Sequence, residues 1–203
     1  MTRRQAGNIP EAALPGLHRY CDLIRHWTSR INLVAPSTLD DLWERHVLDS
    51  VQLFHVKQDF GDHYADLGSG AGLPGLVIAH LLRSTGRNCQ ITLVESDLRK
   101  ATFLRTVNRE LTLGITVISD RIERIAPLKA TTLTARALAP LMKLCEFSAI
   151  HLEKDGTALF PKGASWEKEV SEARQAWQFD LTAHHSITQA QARILEIGRV
   201  RHV

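Results

Sequence analysis

The chain has 203 residues, 44% apolar and 23% charged, with a net charge of +3. That length and mixture describe one globular domain, able to bury roughly 70% of its unfolded surface without a disulfide or metal staple, and exclude a disordered or fibrous chain. The mild positive charge permits a nucleic-acid partner without demonstrating one. Cys21, Cys89 and Cys145 are widely spaced with no Cys-x-x-Cys pair. They read as reduced thiols used as small apolar side chains, and the histidines, His184-His185 included, show no metal-ligand spacing. Met1-Thr2-Arg3-Arg4 is basic, but Gln5 to Glu11 is polar where a signal core would be apolar. The expectation is a cytoplasmic protein.

In chain order, Leu14, Leu17, Cys21, Ile24 and Trp27 recur at three- and four-residue steps, the face of one amphipathic helix. Pro36 breaks that pattern. Ser37, at an N-cap position with Asp40 three residues on, opens a second helix carrying Leu39, Leu42, His46, Val47 and Val51 to about Phe54. Asp59 to His63 is a turn. Strands are then predicted at Tyr64 to Leu67, Ile91 to Glu95, Ile115 to Ser119, Leu133 to Ala135, Thr157 to Phe160, Phe179 to Ile187 and Ala192 to Val200. Helices alternate with them. One starts beside Pro74. The next is capped by Ser96, has the inner face Leu98, Ala101, Leu104, Val107 and Leu111, and ends at Gly114. Two more cover Leu138 to His151 and Ser165 to Trp177. This alternation predicts an α/β fold with a mostly parallel sheet and an antiparallel finish. A helical cap over residues 1–60 precedes a core over 61–203.

The chemistry concentrates in Asp66-Leu67-Gly68-Ser69-Gly70-Ala71-Gly72-Leu73-Pro74-Gly75. Glycines let a backbone turn sharply and admit a ligand closely, and the following helix offers free N–H groups and the positive end of its dipole. Gly70-x-Gly72-x-x-Gly75 matches the dinucleotide fingerprint, which would make the chain an NAD(P)-dependent oxidoreductase. Gly68-x-Gly70-x-Gly72 after Asp66 fits the S-adenosylmethionine motif better. The turn begins at Gly68, so the dinucleotide match is offset by two residues. Asp66 suits an ammonium and is awkward beside a pyrophosphate. Glu95, ending the next strand, can accept hydrogen bonds from ribose hydroxyls and fits either nucleoside. Ile122 and Glu123 follow the third strand, where an adenine ring would lie.

The acceptor is read partly from absences. There is no Asn/Asp-Pro-Pro-aromatic segment for exocyclic amines; Thr134-Ala135-Arg136-Ala137 stands in that place. No cysteine follows a proline, as methylation of pyrimidine C5 would ask. A ring nitrogen such as guanine N7 needs neither, because its lone pair is free, so alignment and desolvation suffice and no general base is proposed. Arg136 can donate a bidentate pair to guanine O6, a phosphate or the cofactor carboxylate. Lys162, in Pro161-Lys162-Gly163, is a candidate phosphate contact, as are Arg45 and His46 on the second helix, where Arg45 and Asp49 have i,i+4 spacing. Two further readings are a non-catalytic RNA- or ribosome-binding module with a vestigial cofactor site, and an enzyme with a small-molecule or protein acceptor.

Four segments in order carry a resemblance: Leu42-Trp43-Glu44-Arg45-His46-Val47-Leu48-Asp49-Ser50, the Asp66 to Gly75 loop, Thr134-Ala135-Arg136-Ala137 and Pro161-Lys162-Gly163. Together they resemble the bacterial glucose-inhibited division protein B group, methyltransferases of guanine N7 in 16S ribosomal RNA, over about residues 14 to 199. The resemblance implies a class I methyltransferase fold with a seven-stranded sheet and an N-terminal helical cap. It implies cofactor contacts at Gly68, Leu73, Ile122, Glu123 and Arg136, with Glu95 at the ribose. It implies a monomer acting on 16S rRNA within or en route to the 30S subunit. The chain departs from the family pattern in having Glu95 where Asp is common and in the less apolar final strand Ile194-Leu195-Glu196-Ile197-Gly198.

Overall fold

The computed structural model describes residues 9–57 and 59–203; the basic start Met1 to Arg4 lies outside them. Seven strands form one sheet in the order β3-β2-β1-β4-β5-β7-β6. They are β1 (His63–Leu67), β2 (Gln90–Val94), β3 (Thr116–Ile118), β4 (Ala130–Thr134), β5 (Leu152–Lys162), β6 (Trp177–His185) and β7 (Arg193–His202). β1 to β5 are parallel, and β7 runs antiparallel to both β5 and β6. The helices are α1 (Leu14–Thr28), α2 (Asp49–Val56), α3 (Gly75–Ser84), α4 (Leu98–Glu110), α5 (Leu141–His151) and α6 (Trp166–Ala173).

Strand alternation divides the core in two. Tyr64, Ile91, Leu93 and Leu159 face one layer with α3, α4 and the N-terminal helices; Leu67, Val94, Leu133, Ala158 and Phe160 face the other with α5 and α6. Strands buried on both faces are what a covered parallel sheet requires. β7 keeps the same logic: Leu195 and Ile197 face the α5 side opposite Phe160 and Ala158, while Glu196 accepts a hydrogen bond from His184 Nε2 at 2.8 Å. Cys21, Cys89 and Cys145 are buried free thiols, and burial pushes Cys145 up to about 12.

Several local expectations are corrected. The single helix from Ser37 to Phe54 is replaced by a 3₁₀ turn (Pro36–Thr38), a π-helical turn (Trp43–Leu48) and then α2. Ser37 caps nothing; the wider π turn buries Val47 and brings His46 Nε2 to 2.9 Å from Thr38 Oγ1. Asp97, not Ser96, caps α4, accepting from the Arg99 and Lys100 amides. Leu98 is 72% exposed because it shares a face with Thr102 and Arg105, and Phe103 takes its place in the core. α4 ends at Glu110 and is closed off by Thr112, which adopts φ 51° while Leu113 N–H bonds Asn108 O at 3.1 Å; Gly114 lies two residues beyond Thr112. α5 starts three residues later than expected, after Pro140, and α6 ends at Ala173.

The N-terminal helices are part of the same core. Leu17, Tyr20 and Ile24 of α1 share a cluster with Leu76, Phe103 and Leu104. Where α1 crosses α3, His80 Nε2 donates to Ala13 O at 3.0 Å, and a Cβ on Gly16 would overlap the His80 ring. Gly16→Ala should therefore dislodge His80 and strand the Ala13 carbonyl, lowering the unfolding free energy in urea by roughly 1–3 kcal/mol; trimming His80 to Ala in the same chain should recover part of the loss.

Candidate functional site

β1 ends at Leu67, and the chain turns through Gly68, Gly70 and Gly72 with φ of 63°, 56° and 88°. These are left-handed backbone angles that side chains disfavour. Three neighbours fix the turn. Ser69 N–H bonds Val94 O at 3.0 Å, tying it to β2. Glu95 accepts from Gly70 N–H at 2.8 Å and from Asp97 N–H at 2.7 Å. Tyr20, from α1, donates its hydroxyl to Ala71 O at 2.6 Å. At Gly75, a Cβ would come within 2.6 Å of Asp66 Oδ2 and Leu93 Cδ2, so only glycine lets α3 start this close to β1. At Gly70, a Cβ would meet nothing nearer than Gly68 O at 3.8 Å. That side of the turn is open.

It opens into a cleft of about 400 Å³ at the carboxyl ends of β1, β2 and β3. Gly68, Gly70 and Glu95 line it together with Ile122 and Glu123, so five predicted residues from three loops meet there. Val94, Leu138 and Phe147 add apolar surface, and Lys100, Arg121 and Lys143 add cations. Leu73 lies beneath the turn, 5% exposed and packed in the α3-side core.

Asp66 is buried below the turn, 1% exposed. Its Oδ1 accepts from Thr134 Oγ1 at 2.6 Å, while Oδ2 has no hydrogen-bond partner among the described residues. Tyr64 OH lies 2.8 Å from the same Thr134 oxygen. Burial raises the Asp66 carboxyl to about 6, against the pull of the Thr134 hydroxyl and the Arg136 charge.

Arg136, just beyond β4, forms a second cluster with the N-terminal segment. Its Nη1 donates to Asp49 Oδ2 at 3.2 Å and its Nη2 lies 3.4 Å from His46 Nδ1. Asp49 Oδ1 accepts from Gln52 Nε2 at 2.8 Å and from Thr188 Oγ1, in the β6–β7 hairpin, at 2.7 Å. The expected Arg45–Asp49 pair is thus replaced: Asp49 turns inward to Arg136, and Arg45 is exposed beside a groove shared with Leu48 and Thr188. Burial and then the Arg136 charge lower His46 to about 4, so it is neutral at physiological pH. Lys162 is not offered to solvent as expected; its ammonium bonds Ala139 O at 2.8 Å and Glu169 Oε2 at 2.7 Å.

Tyr20, Thr134, Lys143, Phe147 and Glu169 escaped sequence reading. Tyr20 alone carried a signal, a phenol on a helix's inner face whose hydroxyl needs a buried partner.

The sheet order, the covering helices and the cleft at the end of β1 define a class I S-adenosylmethionine-dependent methyltransferase fold. The chain belongs to the GidB family, rRNA small subunit methyltransferase G, which matches residues 13–197. It is 43% identical to the ribosomal RNA small subunit methyltransferase G of Cereibacter sphaeroides over 98% of this chain and 96% of that one. It is 45% identical to the protein of the same name from Ruegeria pomeroyi, over 97% and 96%. Among solved structures, a methyltransferase from Aquifex aeolicus aligns with TM-score 0.59 at 11% identity, covering 81% of this chain and 98% of that one. A mutant of MtNAS in complex with S-adenosylmethionine aligns with TM-score 0.60 at 14% identity, covering 91% and 74%.

Two outcomes follow from this geometry. Tyr20→Phe should leave the Ala71 carbonyl unpaired, cost roughly 1–3 kcal/mol of stability and weaken S-adenosylhomocysteine binding measured by titration calorimetry. The pH dependence has two opposing parts. His46, His55, His63, His80 and His151 have lowered pKa values in the fold, each by burial first, so the unfolded chain binds more protons and stability falls as pH drops below about 6.5. Asp66 has a raised value, so the fold holds the extra proton and gains as pH falls through about 6. Asp66→Asn should therefore gain more stability at about pH 8 than at about pH 5, and its acid limb in urea unfolding should be steeper than that of the unmodified chain.

Proposed function

We propose that this chain transfers the methyl group of S-adenosylmethionine to N7 of a guanine in 16S rRNA, acting as a cytoplasmic monomer on the 30S subunit or its precursor. The observation that carries the reading is the convergence of the open glycine turn, Glu95 and the Ile122–Glu123 loop on one cleft, in a chain of the GidB family.

The residues suit that nucleoside. The cleft's mixture of a backbone cradle, the Glu95 carboxylate at the end of β2 and an apolar wall of Val94, Ile122, Leu138 and Phe147 matches an amino-acid tail, a ribose and a flat base. Glu95 takes the ribose hydroxyls while its amide contacts hold the turn. Ile122 packs on the base and Glu123 borders it. Gly68 and Gly70 let the tail approach the backbone, and Leu73 supports the turn from below. Asp66, buried below the turn, supplies negative charge to the ammonium end from beneath it. When bound, the cofactor supplies an electrophilic methyl group on a sulfonium.

The protein's own part is orientation and dehydration. Guanine N7 has a lone pair and loses no proton on attack, so no base is needed. Arg136, held by Asp49 beside neutral His46, meets the cofactor carboxylate or guanine O6 in this reading. Arg45, exposed at the neighbouring groove, is a phosphate contact. Lys162 acts from behind the cleft.

Incubation of labelled S-adenosylmethionine with 30S subunits lacking the modification, and separately with naked 16S rRNA, tests this. Nucleoside analysis should recover 7-methylguanosine; a different methylated nucleoside, or label in protein, would refute the acceptor. Arg136→Ala should lower turnover by about ten-fold or more in that assay, with the fold intact.

A further inference from the structure

We infer that Glu169 is a positioning residue for the cofactor cleft: through Lys162 it clamps the Ala137–Pro140 loop that forms one wall. The inference rests on the cleft being the S-adenosylmethionine site.

The loop between β4 and α5 has no secondary structure of its own. Ala137 adopts φ 53°, a left-handed angle that a side chain holds only when its surroundings impose it. Ala137, Leu138 and Ala139 all face the cleft. Pro140 precedes α5 without any side-chain cap, so the first amide of that helix needs an acceptor from elsewhere. Glu169 provides it from α6, with Oε2 accepting from Leu141 N–H at 2.9 Å. The same oxygen accepts from Lys162 Nζ at 2.7 Å, and Lys162 donates again to Ala139 O at 2.8 Å. The loop is thereby held at Ala139 and at Leu141, by a pair whose side chains are only 10% and 20% exposed. A carboxylate here also suits the positive end of α5. Leu138 packs on the glycine turn: a Cβ on Gly68 would lie 2.5 Å from Leu138 Cδ1, so the wall and the turn are in direct contact.

The geometry sets side-chain length and an oxygen acceptor as the requirement. Glu169→Gln keeps an oxygen able to accept from both donors. Glu169→Asp is one methylene shorter and cannot span the same gap. Glu169→Ala removes the clamp.

Titration with S-adenosylhomocysteine tests this, alongside steady-state assays on RNA. Glu169→Ala and Glu169→Asp should bind the nucleoside about five-fold or more weakly, raising KM for the cofactor while KM for RNA stays near its unmodified value; Glu169→Gln should restore most of the affinity. A residue that merely stabilised the fold would lower the melting temperature and leave affinity alone. Unchanged affinity in Glu169→Ala would overturn the inference. Should that variant fail to fold, equal affinity in the Gln and Asp variants would overturn it as well. Failure of the unmodified chain itself to bind S-adenosylhomocysteine would instead refute the reading of the cleft.

Discussion

Three glycines in left-handed conformations make a turn that neither a helix nor a sheet ladder can stabilise from within. What holds it is supplied from outside: the Glu95 carboxylate on the Gly70 amide, the Tyr20 hydroxyl on the Ala71 carbonyl and β2 on Ser69. Hydrogen bonds of this kind contribute about 1 kcal/mol each, more when one partner is charged. Their value here is geometric. They hold the turn along the edge of an open cleft while α3 packs within contact of Asp66 through Gly75.

The same economy explains the Arg136 cluster. Arg136 leaves β4 beside the cleft, and its guanidinium would sweep a wide volume if free. Asp49 holds it, and Asp49 is in turn held by Gln52 and Thr188. One carboxylate thus joins the N-terminal segment, the central sheet and the terminal hairpin. His46 stays uncharged next to a cation because burial and that cation both disfavour its protonation.

How much of this the residues announced varies with range. The strand–turn–helix units were legible because their signals are local: alternating apolar residues, glycines at the end of β1, Glu95 at the end of β2. The approximate positions of all seven strands follow from such patterns. Caps were harder, since Ser96 and Asp97 are both good acceptors and only the backbone entering α4 decides between them. The π turn at Trp43–Leu48 has no sequence period that announces it. Partners were hardest. Arg136 and Asp49 are 87 positions apart, so an i,i+4 pairing with Arg45 was the natural reading until the fold brought the arginine in. Lys162 reads as a phosphate contact for the same reason, because Glu169 lies on the next helix and no local spacing pairs the two.

The hydroxyl that α1 lends to the turn gives the chain a property no isolated nucleotide-binding unit would have. Docking of the first helix and occupancy of the cleft bear on one stretch of backbone, so whatever free energy one lends to the other is returned in equal measure. A nucleoside that orders the turn will tighten the hold on α1, and anything that pries α1 away will loosen the nucleoside to the same degree.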